Sequence, residues 1–188
     1  MNLKVVIRVF FFICFMAYPF IVYFGIKTLP PSFFGLVLIV LLALRFGVLI
    51  KADRPVLLPV LLILMGYAIA TTLSGNTQML LFYPALVNFC LCAVFANSLR
   101  QEESLLLRMV RARGLPIVDH VPPYLYRLTA LWAVFFALNG MTAVWTITVS
   151  MEVWTLYNGL ISYFIVGALI GGELLFRSHY KKRMGLDN

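Results

Sequence analysis

In this chain, chemistry would have to reside in the few polar side chains that interrupt long apolar runs. Asn88 lies midway along one run and Asn139 midway along another; Tyr157 and Asn158 open a third, and Tyr83 precedes Asn88 by one helical turn and a residue. Polar groups in hydrocarbon are unfavourable unless partnered, so such residues are the first functional candidates in a membrane segment. Amides and phenols at these positions can bond between helices, at about 0.6–2 kcal/mol each. They can also line a polar pocket among the three runs. Glu173 is the only carboxylate inside an apolar run, and Arg177 follows it in the Glu-before-Arg order that favours an i,i+4 ion pair. A local pair that reaches to the interface is one reading of Glu173. The other joins it to Arg45 and Arg8, also at run ends, as a charged site for a phosphate or carboxylate headgroup.

Several reaction classes lack their residues. There is no Gly-rich phosphate loop and no HExxH, no aspartate cluster for Mg²⁺, and no serine nucleophile elbow. His120 has Asp119 beside it and no other acidic partner at a short fixed spacing. Cys14, Cys90 and Cys92 all fall within apolar runs, and Cys90 and Cys92 point to different sides of a helix. No Cys/His spacing suits a metal. The residue pattern therefore implies no metal and no cofactor.

The elements that must position these residues follow from composition. Of 188 residues, 63% are hydrophobic and 12% charged, with a mean hydropathy of +0.98. Soluble domains run near about 45–50% apolar and about 25% charged, so a soluble enzyme is excluded. The sequence reads as an all-α polytopic membrane protein. Six apolar runs, at 9–26, 33–50, 56–73, 79–97, 128–149 and 154–176, each approach the roughly 20 residues a spanning helix needs. They are apolar on all sides, unlike the alternating strands of a β-barrel. The first run follows Lys4 and Arg8 but no small-residue cleavage site follows it, so it reads as an uncleaved span.

Charge sets the orientation. Fifteen Lys and Arg against seven Asp and Glu give +8. The basic residues flank apolar runs, which points to membrane orientation and away from nucleic acid. With the N-terminus inside, fourteen of the fifteen fall on the inner side and only Lys27 outside. Both termini are then cytoplasmic. The outer connections are short, which makes sequential helices antiparallel neighbours.

The one sizeable polar piece is the loop at 98–127. Its first half, 101–113, reads as a basic amphipathic helix with Leu105, Leu106, Met109 and Val110 in one stripe and Arg108 and Arg111 beside it. Gly114 and Pro116 end it. Such a helix should lie flat on the inner leaflet; with Arg113 it offers a surface for anionic lipid or a cytoplasmic partner. Pro122 and Pro123 should reset the chain before the fifth run. Gly167 and Gly171 have the small-xxx-small spacing of a close helix contact, read here as internal to the bundle, with a homodimer as the other option. Pro19, Pro59 and Pro84 fall inside runs and can free a backbone carbonyl. Trp132, Trp145, Trp154, Tyr18, Tyr23, Tyr124 and Tyr126 read as an interfacial aromatic belt.

Three segments carry a family resemblance: Phe82 to Asn88; Trp132 to Gly140; and Trp154 to Phe164 followed by Gly172, Glu173 and Arg177. Together, over about residues 79–180, they resemble an uncharacterised family of small bacterial inner-membrane proteins associated with aryl polyene (xanthomonadin-like) and fatty-acid or polyketide-type synthesis. The resemblance implies a process and no specific activity: making, anchoring or moving an acylated polyene lipid. Tyr83, Asn88, Asn139, Tyr157, Asn158 and Glu173 are then the site candidates. Arg45, Arg108, Arg111, Arg113 and Arg177 are the candidates for an anionic headgroup or partner.

Three functions follow. A non-catalytic accessory protein would dock synthesis enzymes or an acidic acyl carrier protein on the basic loop. A transporter or flippase component would use the prolines and the asparagines, with membrane lipids as cargo or partners. An intramembrane enzyme would draw on Glu173, Tyr157 or Asn158. Residue chemistry favours the first.

Overall fold

The structure, a computed structural model, describes residues 17–51, 58–114, 117 and 121–183, and of 45–51 and 176–183 the backbone alone. The expectations for Arg8, Cys14, His120 and the first half of the first run lie outside the described residues. So do those for the side chains of Arg45 and Arg177. The chain is all-α, 87% helical, with no strand among the described residues.

Helix α1 covers 17–25. It is followed by α2 (Pro31–Lys51), α3 (Leu58–Ser74), α4 (Thr77–Ser98), α5 (Leu105–Arg111), α6 (Val121–Val149), α7 (Met151–Leu156), a π-turn at Tyr157–Ile161, and α8 (Ser162–Arg183). Among the described residues, three helical segments are long and apolar enough to cross a membrane: Thr77–Ser98, Val121–Val149 and Met151–Leu175. Pro31–Leu44 and Leu58–Ser74 are shorter apolar helices. The outward faces are apolar as well: Phe24, Leu73, Phe164 and Leu175 are each more than 70% exposed. A hydrocarbon solvent tolerates such a surface and water does not. The chain is a membrane protein.

The core forms where the helices meet. Tyr18 and Val22 of α1, Phe34, Leu38 and Leu42 of α2, Leu61 and Leu64 of α3, Leu80 and Tyr83 of α4, and Trp154 of α7 make one buried cluster. Helix α2 packs along α3 and α4 along α6. Gly75, at φ +59°, makes the tight turn between α3 and α4. Asn76 then caps α4, its Oδ1 accepting from the Gln78 amide at 2.9 Å.

Several boundaries depart from the sequence reading, each for a local reason. Helix α6 begins at Val121, seven residues before the expected span, so Pro122 and Pro123 lie in its first turn and not ahead of it. Proline suits that position because its missing N–H has no helical partner there. At about 1.5 Å per residue, the 29 residues of α6 reach about 43 Å, beyond a hydrocarbon core of about 30 Å. Helix α5 is shorter than expected. Ser98 Oγ accepts the Leu105 amide at 3.1 Å and donates to Phe95 carbonyl at 2.7 Å, which pins the corner between α4 and α5. Gly114, at φ +68°, ends the turn that closes α5. Leu105 and Leu107 are its buried residues; Met109 of the expected stripe is exposed.

Candidate functional site

Pro84 organises the first half of α4. It has no N–H, so the Leu80 carbonyl loses its helical donor. The Tyr18 hydroxyl of α1 donates to that carbonyl at 3.2 Å. The adjacent carbonyls receive side-chain donors too: Tyr67 of α3 donates to Met79 O at 2.9 Å, and Trp154 Nε1 of α7 to Leu81 O at 3.0 Å. Three aromatic side chains from three helices thus converge on consecutive carbonyls just before the proline. Trp154 is fully buried and Tyr18 nearly so, which corrects the reading of both as interfacial belt residues.

One turn past Pro84, the predicted asparagines meet. Asn88 Nδ2 donates to Pro84 O at 2.8 Å, and Asn139 Nδ2 of α6 donates to Asn88 Oδ1 at 2.9 Å. The Tyr157 hydroxyl donates to Asn139 Oδ1 at 2.7 Å. A continuous chain of hydrogen bonds therefore ties α4, α6 and the π-turn. The π-turn sets Tyr157 and Asn158 in place. Its wider winding is closed by the Ser162 amide on Tyr157 O; such turns insert one residue into a helix and recur at functional sites. Asn158 Nδ2 donates to Trp154 O at 2.9 Å and to Thr146 Oγ1 of α6 at 3.4 Å. Gly159 lets the α1 segment in: a Cβ there would lie 2.6 Å from the Phe20 ring.

These groups surround a cavity of about 180 Å³ whose walls include Tyr18, Tyr83, Asn88, Asn139, Asn158 and Ser162. Tyr83 is 2% exposed, and its hydroxyl is buried with no hydrogen-bond partner. A buried unpaired hydroxyl destabilises by about 1–3 kcal/mol. It is a polar group of the wall residues whose bonding capacity is unused, and it lies enclosed within the protein. The other polar groups among the described wall residues are amides and hydroxyls, which suit hydrogen bonding.

The other predicted residues whose side chains are described are not drawn into this site. Glu173 lies elsewhere, its Oε1 accepting from the Tyr124 hydroxyl of α6 at 3.0 Å. With Arg113 and Trp132 it lines a separate recess of about 270 Å³ between α5, α6 and α8. The arginines of α5 and its end diverge. Arg111 is ion-paired with Glu103, Arg113 faces the Glu173 recess, and Arg108 lines a different groove. Among the described residues nothing lies within 4 Å of a Cβ placed at Gly167 or Gly171, so no described residue makes the contact expected inside the bundle. Close approach is found instead at Gly140, where a Cβ would sit 2.8 Å from Phe89, and at Gly159.

Tyr18, Tyr67 and Trp154 are the participants that sequence reasoning missed. The available signal was Pro84 itself, which demands a donor for the carbonyl four residues earlier. No family model, curated protein or solved structure matches the chain.

Proposed function

We propose that the chain is a six-span, bacterial inner-membrane protein with both termini cytoplasmic, and that it acts as a non-catalytic accessory in aryl polyene or related acyl-lipid synthesis. In this reading it holds a cytoplasmic partner, an acidic acyl carrier protein, against the membrane. The distribution of basic residues supports the orientation. The use of Asn88, Asn139, Tyr157 and Asn158 in interhelical bonding supports a structural role for the bundle's polar groups.

The observation that carries the docking role is the mounting of α5. Leu105 and Leu107 bury it against the bundle, and the Ser98 hydroxyl fixes its first amide. Arg100, Arg111 and Arg113 stay exposed at that end, Arg111 in an ion pair with Glu103 and Arg113 beside the Glu173 recess. A rigidly held basic edge is suited to an acidic partner, with an association that weakens with salt. The test is titration of acyl carrier protein onto the full chain in nanodiscs of neutral lipid. Binding that weakens with salt and falls about tenfold in the Arg100→Gln/Arg111→Gln/Arg113→Gln variant is expected, a loss within the range for rim charges. Absence of binding at low salt overturns the docking role.

The unpaired Tyr83 hydroxyl in its cavity favours a second reading, a carrier for a lipid-like product. Deleting the gene separates the two: a missing or altered product in the lipid extract supports an assembly role, and a normal product held at the inner membrane supports transport.

A further inference from the structure

Arg108 behaves unlike the other arginines of its segment. Arg111 and Arg113 are exposed, whereas Arg108 is partly withdrawn, with its Nε fully buried and no acceptor for its N–H. Guanidinium donors are rarely buried without an acceptor, because the uncompensated desolvation of a charged group is severe. The withdrawn group lies at one end of a groove of about 720 Å³ between α3 and α4. That volume falls within the roughly 300–1,000 Å³ of small-molecule sites. Toward Arg108 the wall is polar, with Asn97, Ser98 and Gln101; away from it the wall is apolar, with Val60, Ile63 and Phe89. Among the described residues of the lining, Arg108 is the only charged one, and no carboxylate accompanies it.

We propose that this groove binds one anionic phospholipid from the leaflet at the α4–α5 end, with an acyl chain along α3 and α4 and its phosphate on Arg108. Three features specify that occupant. The positive charge of Arg108, the only one among the described lining residues, complements a phosphate, and the guanidinium fork matches phosphate oxygens in geometry. The apolar stretch continues from the charge along the helices, as the chain of an amphiphile continues from its head. The groove also borders the lipid-facing surface, since Ile63 and Phe89 are more than 40% exposed, so a leaflet lipid enters sideways. The proposal does not depend on the acyl carrier reading, because Arg108 faces the groove while the docking edge consists of Arg100, Arg111 and Arg113.

The test is native mass spectrometry of the full chain released from phosphatidylcholine nanodiscs doped with phosphatidylglycerol. Retention of one phosphatidylglycerol over phosphatidylcholine is expected. Arg108→Gln should reduce retention about tenfold, within the usual effect of losing a charge-assisted contact. Arg108→Lys, which keeps the charge but loses the fork, should fall between. Ala93→Trp, which fills the apolar stretch, should also release the lipid. Arg111→Gln removes the same charge from outside the groove and should leave retention within about twofold. Equal losses in Arg108→Gln and Arg111→Gln would mean diffuse surface attraction and overturn the site. Undiminished retention in Ala93→Trp, or displacement of the lipid by millimolar inorganic phosphate, would overturn the acyl-chain placement. Elution of each variant as the same monodisperse species separates these outcomes from misfolding.

Discussion

At Gly35, α2 comes so close to α3 that a Cβ would collide with the Thr72 side chain and lie 2.9 Å from the Thr72 amide nitrogen. At Asn88, α4 meets α6 through amides and keeps room for a cavity. No side-chain hydrogen bond joins α2 to α3 among the described residues; Thr72 Oγ1 donates within its own helix, to Ala68 O at 2.8 Å. The first pair is held by steric fit alone, and the second by hydrogen bonds together with the close approach of Gly140 to Phe89. In a membrane, where lipid tails are as apolar as leucine, close packing and polar contacts are the two means of joining helices. The α2–α3 region uses the first alone and the α4–α6 region uses both, and of the two only the α4–α6 region carries unused bonding capacity.

The comparison can be broken at defined points. The largest effect is expected at Trp154, which is fully buried and both fills the core and donates to Leu81 O. Trp154→Ala should destabilise by about 3–5 kcal/mol, whereas Trp154→Phe keeps most of the volume and should lose about 1 kcal/mol with the hydrogen bond. Equilibrium unfolding in mixed micelles measures both; equal losses would assign the residue's whole effect to its bond. Next comes Gly35→Val, which overpacks the steric region and should lose about 1–3 kcal/mol by the same assay. A neutral Gly35→Val would show that α2 and α3 can separate freely.

The polar region should respond less. A double-mutant cycle on Asn88→Ala and Asn139→Ala should give a coupling of about 0.6–2 kcal/mol. Zero coupling would remove the amide pair as a link between α4 and α6. Smallest of all is Gly167→Ala, whose new methyl meets nothing among the described residues. It should leave unfolding unchanged or raise stability by up to about 1 kcal/mol through helix propensity. A clear destabilisation would place another helix against that face and restore the contact that the small-residue spacing suggested.

What the sequence made legible follows from the same division. Asn88 and Asn139 stood out because an amide in hydrocarbon needs a reason, and the structure joins them at 2.9 Å. Tyr18 and Trp154 did not stand out. An aromatic ring with one polar tip near a run end satisfies an interfacial belt and an interhelical donor equally well, and only the partner's position distinguishes them. Glu173 illustrates the limit of local spacing. Arg177 is visible four residues away, but Tyr124, which donates to Glu173, is 49 residues distant. The π-turn left no compositional trace beyond the Asn158–Gly159 pair, since one extra residue in a helix changes winding and not polarity. The close packing of α2 on α3 was likewise hidden, because Gly35 resembles any glycine until its neighbour is known.

The pairing of Tyr18 with the Leu80 carbonyl bears on biogenesis. A proline-containing segment leaving the translocon alone would bring an unsatisfied carbonyl into lipid, where water cannot compensate it. Here the compensating hydroxyl belongs to a segment synthesised 62 residues earlier. Tyr67, which serves the neighbouring carbonyl, also precedes α4. Trp154 is translated only afterwards. Lateral release of α4 thus finds two of its three donors already in the bilayer, and arrival of the last hairpin completes the set.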